Sequence, residues 1–321
     1  MSASRDGAAT EPILNERRRF LTKPAGCSGL EKSAILTSTS QLVEPSARQV
    51  RAREPALSKR HMALVAPFLA AIFVFLAPVV APARDALVTV GSDRLHVETI
   101  GESGPTVVFE AGLGNDSTTW KSVAGPIAAF ARVVLYDRLG LGESAQLKDT
   151  RATITADQVA SRLHALLTAA DTHPPYILVG HSLGGLYMQM FARKYPKEVS
   201  GIVLLESSST EAPSELKTRA KLVPGTAAYL EQEGVAESNR QVGNAGPFPD
   251  VPLTVIAATD HGPYFREWEP TLMRLQQQLA ALSPQGSLIV AQGSGHDVQL
   301  DRPETVIEAA RRMAAAVEAK Q

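Results

Sequence analysis

The sequence lacks the features of several large protein classes. Its 321 residues include a single cysteine, Cys27, which excludes a disulfide framework and a cysteine-rich zinc site. The formal net charge of -1, from 32 Lys+Arg against 33 Asp+Glu, gives no long-range attraction to nucleic acid. Hydrophobic residues make up 44% of the chain, which is enough to bury a large core. We therefore expect a globular protein with no nucleic-acid partner.

Residues 1–61 have no sustained apolar periodicity. They are rich in Ser, Thr, Pro and Arg, and they carry 11 Lys/Arg against 6 Asp/Glu. Such a composition is typical of a disordered segment. Met62 stands just before an apolar run, so residues 1–61 are either a disordered tail or an over-extended N-terminus.

Residues 62–83 form a run of 22 residues without a charge. The basic residues Lys59-Arg60-His61 precede the run, and Ala81-Pro82-Ala83 ends it, as in a secretory signal peptide. A retained signal-anchor or a buried helix are the alternatives, because 22 apolar residues can span a bilayer. We expect an exported protein, periplasmic or secreted, whose mature chain begins near Arg84. If residues 62–83 are retained, we expect membrane association through them.

From residue 86 onward, short apolar runs alternate with stretches of helical period. Strands are predicted at 86–90, 94–100, 106–112, 133–137, 176–180, 201–206, 253–258 and 287–292, and helices at 155–170, 186–195, 271–282 and 303–318. The first two strands read as a hairpin. The later strands are apolar on both faces, which favours a mostly parallel eight-stranded sheet with helices on both sides. Residues 84–321 therefore form one α/β domain.

Residues 207–250 interrupt this alternation with a polar stretch containing several glycines and prolines. An ordinary crossover between core strands is shorter. We interpret the segment as a small lid insertion over the active site, with an idle surface crossover as the alternative.

The segment Gly180-His181-Ser182-Leu183-Gly184 follows a predicted buried strand and precedes a predicted helix. It matches G-x-S-x-G, in which a sharp strand-to-helix turn lifts the serine hydroxyl above the sheet. The flanking glycines are needed because side chains there would clash within the turn. The pattern predicts Ser182 as a nucleophile.

A serine nucleophile needs a base and a carboxylate that orients the base. His296 lies in a glycine-rich loop after the last predicted strand, where a flexible loop can bring the imidazole to Ser182. Asp260 follows strand 253–258 and is the predicted orienting acid. Glu206 follows strand 201–206 and remains an alternative acid.

The turn at Ser182 and the chain order Ser182, Asp260, His296 resemble the α/β-hydrolase superfamily. The resemblance implies an α/β-hydrolase fold over residues 86–318 and an oxyanion hole formed by the backbone amides of Leu183 and Leu113. The loop Tyr136–Ser144 is similar to a supporting loop of this family. The resemblance implies no cofactor and no metal.

The resemblance favours a serine esterase or lipase-like enzyme acting on a small-molecule ester or lipid. Serine at position 182 argues against the superfamily's haloalkane dehalogenases and epoxide hydrolases, which use a carboxylate nucleophile. Amide or lactone hydrolysis, perhydrolysis and C–C or cyanohydrin cleavage remain alternatives. A binding member of the fold without catalysis is a further alternative from a different functional class.

Overall fold

The computed structural model describes residues 83–213, 216 and 221–320. The predicted tail 1–61 and almost all of the predicted signal segment 62–83 lie outside these residues. Within the described part of the chain, no helix combines the length and apolarity needed to cross a membrane.

The domain is built on one eight-stranded sheet. Its strands are β1 (Arg84–Val90), β2 (Asp93–Ile100), β3 (Thr106–Glu110), β4 (Arg132–Tyr136), β5 (Tyr176–His181), β6 (Val199–Leu205), β7 (Leu253–Ala258) and β8 (Gly286–Ala291). They lie in the order β1-β2-β4-β3-β5-β6-β7-β8. Strand β2 runs antiparallel to both β1 and β4, and all neighbouring pairs from β4 to β8 in this order are parallel. The predicted fold class is therefore confirmed.

Helices cover both faces of the sheet. They are α1 (Lys121–Ala128), α2 (Ala156–Ala169), α3 (Leu183–Lys194), α4 (Ala227–Glu233), α5 (Val235–Asn244), α6 (Glu269–Ala280), α7 (Val298–Asp301) and α8 (Pro303–Glu318). Short 3₁₀ turns lie at Ser117–Trp120, Pro196–Glu198 and Arg266–Trp268. Helices α1 and α8 pack on one face, and α2, α3 and α6 pack on the other.

Alternation along each strand divides the core into two apolar layers. In β5, Ile177 and Val179 face the α1/α8 layer, while Leu178 faces the α2/α3 layer. All three are fully buried. Because successive strand residues point to opposite faces, a strand that is apolar throughout must be covered on both sides.

The segment 207–250 contains two helices, α4 and α5, that the sequence pattern did not predict. Helix α4 has seven residues, and only a few apolar side chains of the two helices, such as Leu230 and Val242, reach the core. Both helices are short and contain few apolar residues, and they lie in a stretch with several glycines and prolines, which favours a loop in the sequence pattern.

Candidate active site

Functional side chains collect where four neighbouring parallel strands end. Ser182 follows β5, Glu206 follows β6, Asp260 and His261 follow β7, and His296 lies in the loop after β8. Because the strands are parallel and adjacent, their carboxyl ends meet at one edge of the sheet, where sites in open α/β sheets form.

Ser182 sits on a strained turn between β5 and α3. Its φ of 53° and ψ of -122° place a non-glycine residue in a region that L-residues rarely adopt. A Cβ added to Gly184 would lie 2.4 Å from the Ala111 oxygen, and one added to Gly180 would lie 2.7 Å from Gly185 Cα. The glycines of the predicted motif are therefore required by close backbone packing.

Ser182 and His296 are in direct contact. His296 Nε2 lies 2.9 Å from Ser182 Oγ, which is hydrogen-bonding distance. The second ring nitrogen, Nδ1, lies 3.4 Å from Glu206 Oε2. This second distance is long for a hydrogen bond, but such bonds often shorten only in the substrate complex. The structure thus brings a hydroxyl, an imidazole and a carboxylate into one row.

The carboxylate in this row is Glu206 and not Asp260, so the prediction of Asp260 as the acid beside His296 is corrected. The exposed Asp260 side chain accepts a hydrogen bond from Gly262 N at 3.2 Å, within its own turn. The backbone of Asp260 is the part that meets the His296 loop, since its amide donates to Ser294 O at 2.9 Å. That pairing leaves the carboxylate outside the row.

Glu206 is held rigidly. Its side chain is 3% exposed, its Oε1 accepts from Ala258 N at 2.7 Å, and its φ of 44° is in the left-handed region. Burial alone would raise the pKa of Glu206, but hydrogen bonds from His261 and His296 outweigh burial and lower the pKa to about 2. The group is therefore a carboxylate at neutral pH.

His261 is a site residue that sequence reasoning missed. Its Nε2 lies 2.5 Å from Glu206 Oε2, and its Nδ1 lies 2.9 Å from Glu269 Oε2. Burial would lower the pKa of His261, but hydrogen bonds and charges from Glu206 and Glu269 outweigh burial and raise the pKa to about 9. Its position directly after Asp260, a predicted site residue, was the sequence feature that could have identified His261.

His181, which directly precedes Ser182, holds the backbone of His296. Its side chain is 2% exposed, and its Nε2 donates to the backbone oxygen of His296 at 2.9 Å. Burial, with a smaller contribution from the charge of His296, lowers the pKa of His181 to about 3. A neutral imidazole therefore anchors the loop that carries His296.

The two predicted oxyanion donors are Leu183, which directly follows Ser182, and Leu113, which follows Gly112, where an added Cβ would lie 3.4 Å from Ser182 Cβ. Leu183 N begins α3, where the first amides have no intrahelical acceptor. Leu113 belongs to the loop after β3. The hydrogen bonds of the described residues engage the amides of Gly114 and Asn115 in that loop, but not those of Leu113 or Leu183. Both amides are thus available to an oxygen of a bound molecule.

The loop that carries Leu113 is fixed by a buried charge network. Arg138 Nη1 and Nη2 donate to the backbone oxygens of Ala111 and Gly112 at 2.8 and 2.7 Å. Arg138 also pairs with Glu110 and with Glu231 of α4, each at 2.6 Å, and Glu231 Oε2 accepts from Gly114 N at 2.9 Å.

Arg138 belongs to the loop Tyr136–Ser144, which the sequence analysis described as structural. Asp137 of the same loop accepts from the backbone amides of Ser117 and Glu143 at 2.8 Å each. The loop therefore supports the neighbouring loop that carries Leu113, and it forms no hydrogen bond with Ser182 or His296.

Within the described residues, one group of side chains has the spacing of a candidate metal site. The donor atoms of Glu206, His261 and His296 lie within 4.8 Å of one another. Hydrogen bonds among these same atoms account for the spacing, since the carboxylate accepts from both imidazoles. We assign no metal ligands here.

The chain belongs to the α/β-hydrolase family. A family model described as alpha/beta hydrolase fold matches residues 105–245. The uncharacterised protein YqjL of Bacillus subtilis is 36% identical over 218 residues, which cover 64% of this chain and 82% of YqjL.

Solved structures share the fold at low sequence identity. A thermophilic esterase from Thermogutta terrifontis superposes with a TM-score of 0.55 at 20% identity, covering 74% of this chain and 99% of that one. Carboxylesterase CesB of Bacillus subtilis gives a TM-score of 0.53 at 15% identity, covering 72% and 91%. At these identities the similarity establishes the fold alone.

Proposed function

We propose that the protein is a serine hydrolase that cleaves a carboxylic ester through an acyl-enzyme. Ser182 is the nucleophile, His296 the general base, and Glu206 the carboxylate that orients the base. The backbone amides of Leu113 and Leu183 form the oxyanion hole. The proposal replaces the predicted acid Asp260 with Glu206 and keeps the other roles.

The contact between His296 Nε2 and Ser182 Oγ, 2.9 Å long, carries the proposal. In the first step the Ser182 oxygen bonds to the ester carbonyl carbon, and its proton passes to His296 Nε2. The carbonyl oxygen becomes an oxyanion, which the amides of Leu113 and Leu183 stabilise. The intermediate then expels the alcohol, which takes the proton from His296.

Hydrolysis of the acyl-enzyme repeats these steps with water. His296 accepts a proton from the water, whose oxygen bonds to the acyl carbon, and Ser182 leaves with that proton. Glu206 stays ionised throughout and stabilises the imidazolium of His296. These steps use only groups of this chain, so the mechanism needs no cofactor.

Ester hydrolysis is favoured over the other reactions of this fold because the two structural neighbours described above are named esterases. We propose a small-molecule ester or lipid as the substrate. Lactone or amide hydrolysis, perhydrolysis and C–C or cyanohydrin cleavage use related machinery and are alternatives.

The first experiment is covalent labelling of the full chain with a fluorophosphonate, followed by peptide mass spectrometry. We expect label on Ser182, no label in Ser182→Ala, and normal label in Ser287→Ala, which changes an exposed serine of β8. A panel of p-nitrophenyl esters of increasing chain length, with matched amides and lactones, then defines the bond cleaved. An unlabelled Ser182 in the folded protein would refute the proposal and favour a binding role.

We propose separately that the segment 207–250 acts as a lid over the active site.

We also propose that residues 62–83 direct export. This proposal rests on the uncharged run between Lys59-Arg60-His61 and Ala81-Pro82-Ala83. An intact-mass measurement in an exporting bacterial host should give a chain that begins near Arg84. A soluble cytoplasmic chain that retains residues 62–83 would contradict it.

A further inference from the structure

We propose that His261 is a positioning residue that holds Glu206 in line with His296, with Glu269 holding His261 in turn. This proposal rests on the function proposed above, because it assigns Glu206 the role of the orienting acid. It extends the row Ser182, His296, Glu206 by two groups from the β7–α6 region.

The geometry shows why Glu206 needs a second partner. Its Oε1 is fixed by Ala258 N at 2.7 Å, but its Oε2 lies 3.4 Å from His296 Nδ1. The His261 ring, 2.5 Å away, makes the shorter contact with Oε2. Contacts at both oxygens fix the plane of the carboxylate, which one contact alone cannot do.

His261 is itself held from both sides. Its side chain is 6% exposed, and Glu269 accepts from both the His261 amide and Nδ1, at 2.9 Å each. Glu269 is the first residue of α6, so the partner of His261 is set on a helix and not on a loop. An imidazole between two carboxylates must donate from both nitrogens, and therefore carries a positive charge.

This charge also acts on His296. The charged or titratable groups that face His261 are Glu206 after β6, Glu269 at the start of α6, and His296, whose ring centroid is 6.4 Å away. The pKa of His261 is about 9, so its charge is present across the range from pH 5 to 8. The charge of His261 thus lies near the ring that accepts the proton of Ser182, and like charges repel each other.

The size of this coupling follows from the ring separation. Two unit charges 6.4 Å apart, at effective dielectric constants between about 20 and 80, interact by the equivalent of roughly 0.5 to 2 pH units. Removing the charge of His261 should therefore raise the acidic midpoint of kcat/KM by about one pH unit.

The experiment compares His261→Gln and His261→Ala with the unchanged full chain. Glutamine keeps an amide donor near the position of Nε2 but has no charge, whereas alanine has neither. We expect His261→Ala to lose about 10- to 100-fold in kcat with little change in KM, because a displaced carboxylate no longer orients His296. His261→Gln should recover most of that loss and still show the raised midpoint. His164→Gln serves as the control, because His164 pairs with Glu198 at 3.0 Å outside the site.

A second measurement does not depend on turnover. The titration of His296, followed by NMR of histidine labelled at the ring carbon, should also move to higher pH in His261→Gln. Equal midpoints by NMR in the folded variant would overturn the charge coupling. Equal kcat in His261→Ala, in an enzyme that labels at Ser182, would overturn the positioning role. Absence of label at Ser182 in the unchanged chain would instead overturn the proposed function, and the NMR comparison would still decide the coupling.

Discussion

Replacing Glu231 with glutamine tests whether α4 holds the oxyanion loop. Glu231 is fully buried, and both its oxygens accept hydrogen bonds, from Arg138 Nε at 2.6 Å, Arg138 Nη2 at 3.0 Å and Gly114 N at 2.9 Å. A glutamine amide offers one acceptor and one donor in the same space. In either orientation, an N–H group would face another N–H donor.

The loss in free energy of unfolding depends on which charged partners Arg138 keeps in Glu231→Gln. Breaking a buried ion pair typically costs about 3–5 kcal/mol. Glu110 stays 2.6 Å from Arg138, so we expect the lower end of that range, about 3 kcal/mol. For a domain of this size, each kcal/mol lowers Tm by about 2–4 °C, so Tm should fall by about 6–12 °C.

Thermal unfolding followed by circular dichroism measures this change. Glu233→Gln is the matched control, since Glu233 is an exposed carboxylate two residues further along the same helix, and its Tm should equal that of the unchanged protein. We also expect Glu231→Gln to lower kcat more than it changes KM, because the loop carrying Leu113 loses a support. A Tm within about 2 °C of the unchanged protein would refute the argument from buried charge.

Three further predictions concern the row of site residues and the turn beside it. Glu206→Gln should lower kcat by about 10⁴-fold, because the imidazole loses the carboxylate that fixes its tautomer, while Asp260→Asn should change kcat by less than about threefold. Stopped-flow or steady-state ester hydrolysis measures kcat of the two variants. A larger loss in Asp260→Asn than in Glu206→Gln would restore Asp260 as the acid. Gly184→Ala should abolish labelling or soluble expression, whereas Gly243→Ala, where a Cβ meets nothing within 4 Å, should leave both intact. The pKa of His181 is about 3 in the folded protein and about 6.5 in the unfolded chain. As pH falls, the unfolded chain therefore takes up a proton first, and the free energy of unfolding decreases between pH 6.5 and 3. Urea titrations of His181→Gln should show a weaker pH dependence across that window, and an unchanged dependence would contradict the buried neutral ring.

Much of the fold was predictable because its signals are local. Strand β7 and helix α8 have the bounds that the sequence pattern predicts, since an apolar run and an amphipathic stretch that begins at a proline each depend on neighbouring residues. The turn at Ser182 also has a local signal, the glycines of the strand-turn-helix motif, although Gly184 packs against the backbone of Ala111 after β3. The contact of His296 with Ser182 is not local, since it joins residues 114 positions apart at one edge of the sheet.

The sequence alone could not decide between Glu206 and Asp260. Both follow adjacent parallel strands, so both reach the same edge of the sheet. The choice depends on backbone conformation: Glu206, with a φ of 44°, has its carboxylate buried beside His296, whereas Asp260 engages its own turn through Gly262. Neither conformation has a sequence signature.

The supports of the site depend on tertiary structure in the same way. Arg138 and Glu231 are 93 positions apart, and His261 and Glu206 are 55 apart. A buried charge must find a partner wherever the packed elements place one, because leaving it unpaired costs more than any local preference can supply. The sequence by itself therefore predicted the nucleophile, the base and the alternation of strands and helices. Only the folded chain decided which carboxylate lies beside His296 and which residues hold that carboxylate and the loop carrying Leu113 in place.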